Sequence, residues 1–307
     1  MTNETTVTEF ILKGFSDIPE LKLISTIFFL FIYLFAFLGN ISVIAAVTRD
    51  SHLHIPMYFF LKNLSFLDVC YTTVIIPKAM INSLKGSEVI SFWECVVQLF
   101  LFVMMCAAEC FLLTSMAYDR CLAIHKPLLY GVIMSRKMCM ELVIVAWFSG
   151  ALYAIFHTIN TFSLWYCGPN VIDHFFCDSS PIMRLSCSDS HTNEEVGFAV
   201  GGCIILGAFA LTIISYVLII STIAQIHCAG GRWKAFSTCS SHLTAVILFY
   251  VTGSIAYLRP TSHYSPLQGR LVSVFYSILT PSLNPVVYCL RNTDMQVALK
   301  KLFVPSK

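Results

Sequence analysis

Seven stretches of this 307-residue chain are each long and apolar enough to cross a bilayer as a helix, and no other feature restricts its fold so severely. A hydrocarbon core about 30 Å thick is spanned by about 20 helical residues. Lipid offers no water to backbone N–H and C=O groups, so each spanning segment must close its own hydrogen bonds. The windows are Leu23–Val47, about Pro56–Ile81, Trp93–Ile124, the uncharged run after Glu141 to near Thr161, and segments within Val196–Ile226, within Ala235–Leu258 and over Leu271–Leu290. Only 12% of residues are charged and 57% are hydrophobic, whereas soluble domains carry about a quarter of their residues as charges. The connecting segments are too short for a soluble catalytic domain. The expectation is an all-α, seven-transmembrane helix bundle over 23–290, with an extracellular segment 1–22 and a cytoplasmic tail 291–307 that forms a short amphipathic helix.

Orientation follows from Lys and Arg, which concentrate on cytoplasmic loops. With the N-terminus outside, the inner loops and tail collect twelve of the 19, among them Arg49, Lys126, Arg136, Lys137, Arg232, Lys234, Lys300 and Lys301. The sequon Asn3-Glu4-Thr5 is consistent with a lumenal, glycosylated N-terminus. No basic region followed by a short apolar core precedes the first window, so that helix is expected to act as the signal anchor.

The 13 cysteines sort by side. Cys95 falls at the outer end of the third helix, and Cys167, Cys177 and Cys187 fall in the long second outer loop, where disulfides form and persist. The other nine lie in the membrane or on the reducing side, as soft packing residues. Cys167, His174 and Cys177 would also permit a metal site, although their spacing matches no compact zinc pattern.

Ionisable groups inside a membrane are costly and face the bundle interior. Asp68 and Glu109 are two such groups, and Asn40 and Asn284 lie at comparable depths. The four predict a buried polar cluster, either holding a monovalent cation or a shared proton, or serving as a static network that fixes helix register. If Glu109 points inward, helical spacing places Cys106, Met105 and Phe102 on the same face, nearer the outer end. The same spacing from His242 gives Phe249, Tyr250, Gly253 and Tyr257, and from Asn284 it gives Pro281, Thr280 and Ser277. With Ile204 and Ile205 of the fifth helix, these outline an apolar, aromatic-lined outer cavity suited to a small molecule. Inward aromatic and Met positions are also what ordinary core packing would use.

Met116-Ala117-Tyr118-Asp119-Arg120 gives the pattern a family. It resembles the rhodopsin-like G-protein-coupled receptors and, within them, the class II (tetrapod-type) olfactory receptors. The resemblance covers nearly the whole chain. It includes Gly39-Asn40, the run Leu53-His54-Ile55-Pro56-Met57-Tyr58-Phe59-Phe60-Leu61, Asp68, Lys126-Pro127-Leu128 and Ser215-Tyr216. It continues through Lys234-Ala235-Phe236-Ser237-Thr238-Cys239-Ser240-Ser241-His242, Arg259-Pro260, and Pro281-Ser282-Leu283-Asn284-Pro285 with Tyr288.

The resemblance implies an odorant receptor in the plasma membrane, without cofactor or catalysis, that raises cAMP through a stimulatory G protein. It implies disulfides Cys95–Cys177 and Cys167–Cys187. It assigns coupling and activation to Asp119, Arg120, Tyr216, Lys234, His242, Asn284 and Tyr288, with Arg120 paired to Asp119 at rest and freed to meet Tyr216 when the sixth helix moves outward. Cys121 stands where the family usually has an aromatic residue, and His125 replaces a common cysteine. An amine receptor or an opsin is disfavoured, because Phe102 occupies the amine-binding position of the third helix and the seventh helix has no lysine. A transporter would show internal repeats around broken helices, and none is found. A membrane enzyme would need more than the two intramembrane carboxylates.

Overall fold

The computed structural model describes residues 7–14, 18–85, 88–257, 266–290 and 292–303. Among them six helices are long and apolar enough to span a membrane, and a seventh carries a shorter apolar stretch, Cys239–Ile255. The spans are α1 (Pro19–Arg49), α2 (Pro56–Lys85), α3 (Phe92–His125), α5 (Arg136–Phe162), α7 (His191–Ala224), α8 (Ala229–Tyr257) and a rod running from α9 (Pro266–Val274) into α10 (Thr280–Leu290). Short helices α4 (Pro127–Ile133), α6 (Ser179–Met183) and α11 (Thr293–Phe303) lie between and after them. The chain is a seven-helix bundle.

Local chemistry sets the ends. Pro19 opens α1 at a position where the missing N–H costs nothing. Ser91 and Glu94 form a capping box at the start of α3, and Ser135 caps α5. That cap explains why α5 begins at Arg136, ahead of the uncharged run: exposed Lys137 and Glu141 lie one turn apart on its polar first turns.

α3 runs through the centre and packs most closely on α5. A Cβ at Gly150 would lie 2.7 Å from the Met104 carbonyl oxygen, so only glycine permits the two backbones to approach this far. Gly39 likewise faces the Pro285 ring, where an added Cβ would sit 3.3 Å away. In the seventh span the backbone widens into a π-turn over Phe275–Leu279. Pro281 cannot donate to the Ser277 carbonyl, and the ladder re-forms through longer steps, with the Thr280 N–H and hydroxyl both reaching Phe275 O.

Hydropathy gave no sign of the outer surface. Strands β1 (Glu9–Leu12), β2 (Val89–Ser91) and β3 (Val171–Ile172) form a sheet in the order β2-β1-β3. β1 pairs antiparallel with β2, Phe10 opposite Ile90, and parallel with β3, Ile11 opposite Val171. Phe10 and Leu12 alternate inward into a cluster with Ile90, Ile172 and Ile182. The expected N-terminal segment is therefore the central strand of a roof. Asn3 lies outside the described residues.

Candidate functional site

Polar groups gather at three depths. At mid-depth Asn284 donates to Asp68 Oδ2 at 3.0 Å and to Glu109 Oε1 at 3.4 Å, so the structure brings three of the four expected residues into one contact set. Asn40 donates instead to Ala36 O and to Pro281 O at 3.3 Å. The second bond follows from the sequence: Pro285 has no N–H to give the Pro281 carbonyl, and Asn40 supplies one. Asp68 Oδ1 and Asn40 Oδ1 remain buried without a hydrogen-bond partner. An orphaned carboxylate oxygen and an orphaned amide oxygen, with the Glu109 carboxylate near the first, form a donor set of the hard, all-oxygen kind that a small cation favours.

At the inner end Arg120 is clamped to Asp119, with Nη2 and Nε donating to Oδ2 at 2.6 and 3.1 Å. The Tyr130 hydroxyl of α4 donates to the other carboxylate oxygen at 2.7 Å. Tyr216 does not meet Arg120; its hydroxyl lies 2.7 Å from His242 Nδ1. His242 Nε2 lies 3.0 Å from the Leu113 carbonyl. A carbonyl can only accept, so Nε2 carries the proton and Tyr216 donates to Nδ1. The Tyr288 hydroxyl is buried without a partner. A crevice of about 440 Å³ opens here, lined by Tyr58, Met116, Arg120, Trp233, His242 and Tyr288. The two unusual residues have defined places. His125 Nδ1 meets Thr222 Oγ1 at 2.8 Å, and Cys121 packs with Ala117, Tyr216, Ile219 and Cys239. The Lys234 side chain lies outside the described residues.

At the outer end Cys95 is joined to Cys177 and Cys167 to Cys187, with Cα atoms 5.5 and 5.9 Å apart. Both thiols of the alternative metal set are thereby consumed. His174, its third member, instead meets Ser273 Oγ at 2.7 Å. Burial pushes its imidazole down to about 3, and the nearby Arg270 lowers it further against an opposing backbone hydrogen bond. Asp178 accepts from the Tyr276 hydroxyl at 3.1 Å; burial raises its carboxyl, with hydrogen bonds from Tyr276 and Ser179 opposing. The second outer loop is thus pinned to the seventh span at two points.

Beneath that loop the residues expected to line a cavity divide. Phe102 is sealed in an aromatic cluster, 5.3 Å from Tyr71, 5.0 Å from Phe176 and 6.2 Å from Tyr276 between ring centroids. Met105 is buried. Ser277 is fully buried within the π-turn, and its hydroxyl donates to Ser273 O. The remainder differ in accessibility. Cys106 keeps partial accessibility in mid-bundle, and a Cβ added to Gly253 would meet nothing within 4 Å. Ile204 is half-buried, and Ile205 is 43% exposed although it continues the helical stripe of Gly201 and Ala208. The Tyr250 hydroxyl lies 3.4 Å from Cys110 Sγ, and its ring meets Phe209 at 4.7 Å. The Tyr257 side chain lies outside the described residues, as do Arg259 and Pro260.

The sequence places the fourth span but gives no candidate site residue on α5. Tyr153 and His157 contact each other at 5.5 Å, and His157 Nδ1 and Thr158 Oγ1 are buried without partners. Polar residues one helical turn apart in an apolar span were the available signal.

Comparison with known proteins agrees with this architecture. The olfactory receptor family model matches residues 29–306. Olfactory receptor 5AR1 of Mus musculus is 47% identical over 300 residues, covering 98% of this chain and 97% of its own. Olfactory receptor 5A2 of Homo sapiens is 45% identical, covering 97% and 92%. Squid rhodopsin superposes with a TM-score of 0.70 at 18% identity, over 93% of this chain and 86% of its own, a likeness of fold. The chain belongs to the olfactory receptor family: it is a multi-pass membrane receptor for odorants, and not an enzyme.

Proposed function

We propose that this receptor sits in the plasma membrane with its N-terminus outside and Asn3 glycosylated. In this reading it admits small, mainly apolar odorants beneath the outer roof and couples to a stimulatory G protein that raises cAMP. One observation carries the reading: Arg120 is locked by Asp119 yet lines a ready-made crevice at the inner end, and His242 ties that crevice to α3 and α7. A ligand shifts such an equilibrium only by its differential affinity for the two arrangements. Odorant filling the space beside Gly253, Tyr250 and Cys106 displaces α8, which releases Tyr216 from His242. Arg120 then exchanges Asp119 for Tyr216 and the G protein, and Tyr288 turns toward them.

The pocket composition supports apolar guests. Each buried methylene contributes about 0.8 kcal/mol, and one neutral hydrogen bond about 1 kcal/mol net. After association costs, a guest of about ten heavy atoms reaches micromolar affinity. His157 and Thr158 supply unmet hydrogen-bonding capacity at the α5 edge of the same region, which favours an oxygen-bearing guest. The mid-depth cluster is read as a cation site, in which Asp68, Glu109, Asn284 and Asn40 would hold a monovalent ion that favours the resting packing.

The test is a cAMP reporter screened with a chemically diverse odorant panel. Arg120→Ala is expected to keep surface expression and lose the ligand-driven response. Unchanged signalling in that variant, or ligand-gated current without G protein, would overturn the reading.

A further inference from the structure

Where α1 leaves the bilayer, a groove of about 360 Å³ opens between the helix end, the turn Ser51–Leu53 and α11. Cavities of this size hold small ligands. Arg49, Ser51, His52 and Lys301 line it, together with Asp50. The cations come from opposite ends of the chain, brought together because Met295 and Ala298 bury the apolar face of α11 against the bundle. Lys301 Nζ reaches Asp50 Oδ2 at 3.0 Å, and Arg49 makes no ion pair among the described residues. Arg49 is the last residue of a spanning helix, so the groove sits at headgroup level.

We propose that this groove binds the phosphomonoester headgroup of an anionic membrane lipid. Arg49 and Lys301 converge on the doubly charged phosphate, and Ser51 donates to it. Asp50 is the built-in competitor, holding Lys301 while the lipid is absent. Phosphate bound at this point ties α1 to α11, whose other end begins beside Asn292, which accepts from Tyr58 at 3.0 Å at the edge of the inner crevice. On the orientation proposed above the lipid is one of the cytoplasmic leaflet, although the binding itself does not depend on which way the chain inserts.

The full-length receptor is reconstituted in nanodiscs, which present both faces, made of phosphatidylcholine alone or with phosphatidylserine or a phosphoinositide added. Bound lipid is counted by native mass spectrometry. A basic residue near an anionic surface is worth about fivefold in affinity. Arg49→Gln and Lys301→Gln are each expected to lower phosphoinositide retention about that much. Asp50→Asn, which keeps an acceptor for the His52 N–H, is expected to raise it by a similar factor, a gain that a merely structural ion pair would not give. Equal retention in the wild type and the Arg49→Gln/Lys301→Gln double variant overturns the proposal, and so does phosphatidylserine binding as tightly as phosphoinositide. Competition by inorganic phosphate as effective as that by phosphoinositide would assign the site to free phosphate and overturn the lipid. Glycosylation at Asn3 reports orientation separately.

Discussion

Replacing His242 with Leu tests most directly how the bundle holds its resting form. The imidazole joins α8 to both α7 and α3 by hydrogen bonds, at 2.7 Å to Tyr216 and 3.0 Å to Leu113 O. Its ring also stacks on Tyr216 with centroids 5.9 Å apart. Leu keeps the apolar volume and removes both bonds. At about 1 kcal/mol net for each, α8 loses about 2 kcal/mol of attachment, close to 30-fold in the ratio of displaced to resting receptor. Outward movement of α8 breaks both bonds in any case, so the substitution costs the active arrangement nothing of this kind. Unliganded G-protein activation, measured by nucleotide exchange and normalised to surface receptor, is therefore expected to rise toward 30-fold from a low starting population. Tyr216→Phe breaks the same 2.7 Å bond but also removes the hydroxyl that Arg120 is proposed to meet. It is expected to lower the ligand-stimulated maximum, and the two substitutions are expected not to add. Basal exchange in His242→Leu equal to wild type at equal surface density would show that the Tyr216–His242–Leu113 chain does not restrain α8.

Sodium is expected to raise the thermal stability of the purified receptor in a saturable way, and Asp68→Asn to abolish the effect; the same increment with choline would refute a cation site. Phe10→Ala empties a fully buried position beneath the outer sheet and is expected to cost about 3 kcal/mol, read as faster hydrogen exchange in both β2 and β3. His157→Phe is expected to weaken an oxygen-bearing agonist more than its hydrocarbon analogue, and equal losses would remove His157 from ligand recognition. Acid is expected to open the second outer loop. The buried His174 binds its proton only near pH 3, whereas an opened loop binds it near 6.5. Closure is thus fully stable above that value and weakens as pH falls, by about 2 kcal/mol at pH 5. Asp178, whose carboxyl is raised, acts in the opposite sense as pH falls toward the ordinary carboxylate range. Loop protection by hydrogen exchange is expected to drop between pH 7 and 5 and to become level in His174→Phe.

The spans were readable because lipid imposes a length and a composition on any helix that crosses it, and inward rotation could be fixed wherever an ionisable residue marked the costly side. Glu109 marks such a side: its carboxylate meets Asn284 inside the bundle. Ser277 was harder to place, because uniform helical spacing from Asn284 does not hold across the π-turn over Phe275–Leu279 that precedes Pro281. The polar side chains of α5, Tyr153, His157 and Thr158, were passed over because they lie in an uncharged apolar run whose hydropathy average hides them. The roof strands are three residues long on average (four, three and two), shorter than any periodicity can reveal, and their partners are remote in sequence.

The prolines that defeat helical periodicity also supply the bundle's polar joints. Pro285 frees the Pro281 carbonyl that Asn40 of α1 takes up, and one residue before Pro285 Asn284 binds the carboxylates of α2 and α3. The α10 segment is therefore held to three helices by side-chain amides, bonds that re-form at a new angle more readily than an interrupted backbone ladder. Asp68 Oδ1, Asn40 Oδ1 and the Tyr288 hydroxyl, all buried and unpaired, lie along this segment and its contacts. Each orphaned group costs about 1–3 kcal/mol, so a cation at the acceptors lowers the energy of one packing, and a partner for Tyr288 lowers the energy of another. Competition between those two satisfactions gives the seventh span a reason to have two positions. Asn40→Leu, which removes an orphaned acceptor and the bond to Pro281 together, is accordingly expected to shift basal activity and to weaken the sodium response in the same variant. A change in only one of the two would separate the cation site from the motion of α10.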